Sequence, residues 1–190
     1  MNNTAAREPA EKPIRLLVLG LGNVLLGDDG LGAAAVARVE RDYRIPPGVQ
    51  LEDGGTLGLS LLGLLAESEH VILVDAVRTG KRPGTMVRID GEEVMDAVRE
   101  RLSPHQVGVA DVLDVVRLLD YYPSSVTLLG LEPDRIELSV VRSSAVEAGL
   151  DTLVDAVIHE IRNRGHAMLR KTGPERQRHH SRDLARWFGI

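Results

Sequence analysis

The chain contains no cysteine, which removes disulfides, thiolate metal ligands and cysteine nucleophiles from consideration. Any metal it meets has to be held by oxygen or imidazole. Long hydrophobic runs are missing as well, since continuous apolar stretches reach only about seven residues against the roughly 20 that a bilayer-spanning helix needs. No charged-then-apolar leader opens the sequence, and a soluble cytoplasmic protein without a membrane partner is expected. There is no internal repeat. With 190 residues, 43% of them hydrophobic, the chain is long enough for one good core and too short to need two.

The net charge of −5 hides an asymmetry. Residues 1–161 carry 15 Lys/Arg against 26 Asp/Glu, whereas residues 162–190 carry 8 against 2. An acidic body therefore ends in a basic tail. Such a tail suits nucleic acid or an acidic partner by charge alone, yet its simplest reading is a solvated, poorly ordered end, and no nucleic-acid partner is expected. The expected organisation is a flexible segment over residues 1–13, one domain over 14–165 and a basic tail over 166–190.

Strand-like and helix-like segments alternate between the two ends. Apolar runs predict strands at Ile14–Leu19, Val49–Glu52, Val71–Val74, Thr85–Ile89 and Val126–Leu129, the fourth an edge strand after the Pro83-Gly84 turn. Helices are predicted over residues 31–42, from Thr56 to about Ala66, from Ser103 to about Leu119 and from Ser144 to about Arg162. The third has a capping Ser103, Pro104 at its first position and Gln106 closing a capping box. The fourth has its own cap in Ser144 and Glu147. Strands buried on both faces and separated by helices imply an α/β fold of three layers: a mostly parallel twisted sheet of about five strands with helices on both faces.

The most informative stretch follows the first strand, where Gly20, Gly22, Asn23, Gly27, Asp28, Asp29 and Gly30 form a glycine-rich turn into a helix. A helix N-terminus attracts anions, but two adjacent carboxylates repel them and suit a cation. In open sheets of this kind, ligands bind beyond the carboxyl ends of the strands. Asp29 follows the first strand, Asp53 ends the second and Asp75 ends the third, so three acids converge on one rim. His105 joins them if its capped helix starts at that edge, where the helix dipole keeps an imidazole neutral and its lone pair available. Carboxylates plus imidazole without sulfur suit a borderline divalent ion such as nickel or zinc.

Three rival constellations fail in detail. A dinucleotide loop needs G-x-G-x-x-G, but Leu stands at position 25 and Gly27 comes too late; only Asp53, placed as a ribose-binding acid would be, favours that reading. A nucleophile elbow around Ser60 requires glycine where Leu62 stands. His159 and Glu160 do not begin a zinc-protease motif, because Asn163 replaces the second histidine.

Five motifs in order carry a family resemblance: Gly20 to Gly30, Asp53-Gly54-Gly55-Thr56, Asp75-Ala76, Pro83-Gly84-Thr85, and Ser103 to Leu113. Together, across about residues 14–160, they resemble the nickel-iron hydrogenase maturation endopeptidases. The resemblance implies a protease that removes the C-terminal extension of the [NiFe] hydrogenase large-subunit precursor once nickel has been inserted. It implies Asp29, Asp75 and His105 as metal-coordinating and catalytic residues, and it links Asp53, Gly54, Gly55 and Thr56, with Asp28 beside them, to substrate recognition. Nickel is then carried by the substrate, and the resting enzyme needs none. The metal either polarises the scissile carbonyl or activates water, or it serves recognition while a carboxylate acts as general base; metal-assisted hydrolysis is the favoured route. The non-enzyme alternative is a nickel-sensing chaperone of the same immature subunit.

Overall fold

The computed structural model describes residues 14–55, 57–99, 108–173 and 175. In chain order the strands are β1 (Ile14–Leu21), β2 (Tyr43–Arg44), β3 (Val49–Gly55), β4 (Ser68–Ala76), β5 (Met86–Asp90), β6 (Ser125–Leu131) and β7 (Leu169–Arg170). The helices are α1 (Leu31–Asp42), α2 (Leu62–Glu67), α3 (Glu93–Arg99), α4 (Val109–Leu118) and α5 (Ser144–Asn163). Five strands form the main sheet in the order β3-β1-β4-β6-β5. All neighbours in it are parallel except β5, which runs antiparallel to β6 at the edge. The expected three-layer, mostly parallel architecture is what the chain adopts.

Side-chain alternation along the central strands builds two cores. Leu16, Val18, Ile72, Val74, Leu129 and Leu131 face α1 and α5. Their neighbours Leu17, Leu19, Val71, Leu73 and Leu128 face α2, α3 and α4. A strand whose odd and even residues are both buried has to be apolar throughout, which is why these strands read as unbroken hydrophobic runs. Helix α5 supplies its side of the first core from Val146, Leu150, Leu153, Val157 and Ile161, a spacing of three or four that keeps one face inward.

Chain direction sets where a ligand can enter. From β1 the chain crosses to β3 on one side, and from β3 it returns past β1 to β4 on the other. Their outgoing connections diverge, so a crevice opens at the carboxyl ends of β1 and β4, the topological switch point of the sheet. The first turn of α1 seats directly against these two strands. A Cβ on Gly32 would lie 2.3 Å from the Val74 carbonyl oxygen and 2.4 Å from that of Leu21, so no side chain fits there.

Several helix boundaries differ from those expected. The stretch expected as one helix from Thr56 is a 3-10 turn, Gly58–Leu61, running into α2; Thr56 itself lies outside the described residues. The third expected helix is not continuous from Ser103, because Gly108 is extended and α4 begins at Val109. Its cap is the Asp111 carboxylate accepting the Gly108 N–H at 2.8 Å. Ser103, Pro104, His105 and Gln106 lie outside the described residues. α5 is capped one residue earlier than expected, by Ser143, whose hydroxyl accepts the Val146 N–H at 3.3 Å, while Glu147 pairs with Arg142 at 2.9 Å.

The start of the expected tail is attached to the body. Met168 is buried in the α1–α5 core, β7 pairs antiparallel with β2, and the Lys171 ammonium donates to the Glu40 carbonyl at 2.6 Å. Residues 1–13 and 176–190, expected as flexible ends, lie outside the described residues.

Gly32→Ala is expected to lower stability by at least ~2 kcal/mol, since the contacts it would make are to backbone oxygens that cannot turn aside. Urea unfolding followed by circular dichroism measures this directly.

Candidate active site

The carboxyl edge of the sheet gathers the acids in strand order. Register pairs Gly20 with Asp53 on one side and with Val74 on the other, which sets Asp75 one residue beyond. Adjacent strands lie about 4.8 Å apart, so the ends of β3, β1 and β4 form one continuous row. Asp75 is almost wholly buried. Alternation along β4 places it on the side covered by α2 and α4, and its Oδ1 accepts the Ala76 N–H at 2.8 Å.

Asp29 is half-buried and is held by the turn that precedes it. The Asn23 N–H donates to its Oδ2 at 2.7 Å, which folds the loop after β1 back onto the carboxylate. In a phosphate-binding loop such an N–H would face the ligand; here it is spent on an acid, which counts against the dinucleotide alternative. Gly22 makes the fold-back possible. It has φ +103°, and a Cβ there would sit 1.9 Å from the Asp29 carbonyl oxygen.

Asp28 is placed differently from its neighbour. Expected to face substrate, it is fully buried and accepts four hydrogen bonds. The donors are the N–H groups of Asp134 (2.9 Å), Arg135 (3.1 Å) and Ser143 (2.6 Å), and the Ser143 hydroxyl (2.9 Å). Burial pushes its pKa up, but the four hydrogen bonds together outweigh that and hold it below the ordinary aspartate value. No surface of this carboxylate is left for a substrate, so its role is to position the loop that carries Asp29.

A second buried carboxylate works the same way and went unnoticed in the sequence. Glu132 accepts from Thr79 N–H and Oγ1 (both 2.7 Å) and from Gly80 and Lys81 N–H (both 3.3 Å). Desolvation raises its pKa, and these bonds bring it below the usual glutamate value. It thereby fixes the loop after β4. The β6–α5 connection thus grips both loops flanking the crevice, one through Asp28 and one through Glu132.

At the end of β3, the Asp53 carboxylate accepts the Gly55 N–H at 3.0 Å, and Gly54 is the extra residue of a bulge in the pairing with β1. The Gly55 carbonyl accepts the Gly22 N–H at 3.2 Å, tying this stretch to the Asp29 loop. The structure therefore brings Asp29, Asp53, Gly55 and Asp75 to one edge. His105 and Thr56 lie outside the described residues. Among the described residues, no three His, Asp or Glu side chains are grouped as a metal-holding set.

The chain matches the family model described as hydrogenase maturation protease over residues 33–160. This chain belongs to the hydrogenase maturation protease family. It is 39% identical over 153 residues to the hydrogenase 2 maturation protease of Escherichia coli K12, covering 80% of this chain and 93% of that one. It is 40% identical over 158 residues to the hydrogenase expression/formation protein HupD of Rhodobacter capsulatus, covering 81% and 74%. Among solved structures it is similar to the hydrogenase maturating endopeptidase HybD from E. coli, with TM-score 0.78 and 36% identity over 83% of this chain and 98% of that chain. It also resembles the [NiFe] hydrogenase maturation protease HybD from Thermococcus kodakarensis, with TM-score 0.62 and 28% identity over 76% and 97%. The protein is accordingly a peptidase of this maturation family. No helix among the described residues is long and apolar enough to cross a membrane.

Asp28→Asn would turn an amide into the ring of N–H donors and is expected to cost about 3 kcal/mol at neutral pH. A carboxyl whose folded pKa is depressed stabilises the fold above its unfolded pKa and loses that effect as pH falls through the folded one. The stability gap between wild type and Asp28→Asn should therefore close below about pH 4. Urea unfolding of both proteins at several pH values reads the gap.

Proposed function

We propose that this peptidase removes the C-terminal extension of a nickel-loaded [NiFe] hydrogenase large-subunit precursor in the cytoplasm, recognising the nickel that the precursor carries. The observation that carries this reading is the placement of Asp29 in the turn that follows β1 and of Asp75 at the carboxyl end of β4, at the switch point of the sheet. The donor set fits that role. Two carboxylates without any thiolate make a weak, open site that engages a metal already held by another protein without stripping it away. Nickel is in this reading part of the substrate, and His105 supplies the third ligand.

The same groups serve hydrolysis. The precursor's metal would polarise the scissile carbonyl towards attack by water, and a carboxylate at this edge would take the water proton and return it to the leaving amine. Asp75, almost wholly buried on a strand end, is held more firmly than any loop residue, as a group that has to meet a reacting atom requires. Asp29 sits on a loop fixed by the buried Asp28 clasp. Asp53, with the Gly54 bulge, forms the adjoining wall and contributes to recognition of the precursor.

Asp75→Asn and His105→Ala are each expected to leave a folded protein whose rate of precursor shortening falls at least ~100-fold. The assay incubates purified variants with nickel-loaded precursor and weighs the products, with circular dichroism as the folding control. Shortening at the wild-type rate by either variant would falsify the assignment. Intact precursor after incubation with the wild-type protein would instead favour a carrier role.

A further inference from the structure

We infer that the loop after β1 and the β6–α5 connection together form an apolar docking platform for an aliphatic stretch of the client precursor next to its cleavage point. The inference rests on the peptidase reading above and names the surface that engages the client. Val24 and Leu25 on the first segment are 54% and 53% exposed, and Leu138, Val140 and Val141 on the second are 86%, 75% and 65% exposed. Exposed aliphatics standing singly are ordinary, whereas five on two touching segments mark an interaction surface.

The two segments are joined through their backbones. Gly27 N–H donates to the Ser139 carbonyl at 2.7 Å, and Ser139 N–H donates to the Leu25 carbonyl at 2.9 Å. The Ser139 hydroxyl closes the adjoining turn, accepting from the Val141 N–H and donating to its carbonyl, each at 3.0 Å. The apolar face is therefore built on a fixed backbone. Charges at its border are paired with one another, Arg135 with Glu137 at 3.4 Å and Arg142 with Glu147 at 2.9 Å. An apolar centre within a charged border is the anatomy of a protein interface.

Position argues for the client as occupant. Asn23, next to Val24, holds the Asp29 carboxylate, so a chain entering the crevice passes directly over this face. Of the eleven large hydrophobic side chains exposed among the described residues, seven lie beyond the carboxyl ends of the strands, on loops or on the 3-10 turn after β3. Leu118, Leu119, Tyr121 and Leu169 belong to the opposite edge. A surface that only had to remain soluble would not concentrate its aliphatics where a peptidase has to receive its substrate.

The test uses full-length protein, the nickel-loaded precursor that the wild type is offered, and two double variants at exposed positions. These are Leu138→Ser with Val140→Ser on the platform, and Leu118→Ser with Leu119→Ser at the opposite edge. Affinity for the precursor is measured in an Asp75→Asn background, so that cleavage does not deplete the complex. Processing is followed in the otherwise wild-type proteins. The platform variant is expected to bind about tenfold more weakly and to need about tenfold more precursor for half-maximal processing, with the rate at saturation kept. Its melting temperature should match wild type, and the distal variant should behave as wild type throughout. Unchanged affinity in the platform variant overturns the inference. A wild-type dimer that the platform substitutions dissociate without changing precursor affinity also overturns it, assigning the face to a second copy of the chain. Failure of the wild type to cleave bears on the peptidase reading alone, because affinity is scored separately.

Discussion

The buried carboxylate of Asp28 is the interaction on which the site depends. It is fully enclosed and satisfied by four donors from a connection more than 100 residues further along the chain. A buried charge without partners would be strongly destabilising, so this loop and the β6–α5 connection are stable only together. Ser143 serves both halves of the arrangement, since its hydroxyl bonds to Asp28 and caps α5. Glu132 repeats the device for the loop after β4. Two ionised clasps on one connection thus fix both walls of the crevice.

This explains how a shallow, loop-lined edge can be chemically well defined. The loop after β1 has little apolar material to bury: Val24 and Leu25 point outward. Its geometry comes instead from hydrogen bonds that close only when the sheet and α5 are in place. Placing rigidity in buried acids leaves the surface aliphatics available for contact, and it leaves Asp29 half-exposed beside a fully buried Asp28. Two adjacent residues of the same type are therefore set differently, one part-exposed and held by the Asn23 N–H, the other enclosed and bracing the loop.

The absence of sulfur gains meaning once the family is known. A maturation protease whose proposed substrate brings its own nickel has no need of a strong metal site, and a sequence without thiolates suits a weak one. The switch-point crevice between β1 and β4 is a general ligand position of open α/β sheets. Here a carboxylate, rather than a phosphate, takes up the Asn23 N–H at its mouth.

The sequence by itself determined the layers. Continuous aliphatic runs such as Leu16–Leu19 and Val71–Val74 are buried on both faces, and their period and length carry that information locally. The sequence likewise put Asp53 and Asp75 at strand ends and Asp29 in the turn after the first strand, because a strand stops where apolar residues give way to glycine and acid. Their order along one edge, the antiparallel setting of β5 and the start of α4 at Val109 were decided by tertiary structure. So was the separation of Asp28 from Asp29. Nothing within ten residues of Asp28 distinguishes it from its neighbour; its partners Asp134, Arg135 and Ser143 are brought to it by the sheet order and by the return of α5 across the same face. Hydrogen bonds across such separations leave no local pattern, because their energy is realised only after the intervening chain has folded.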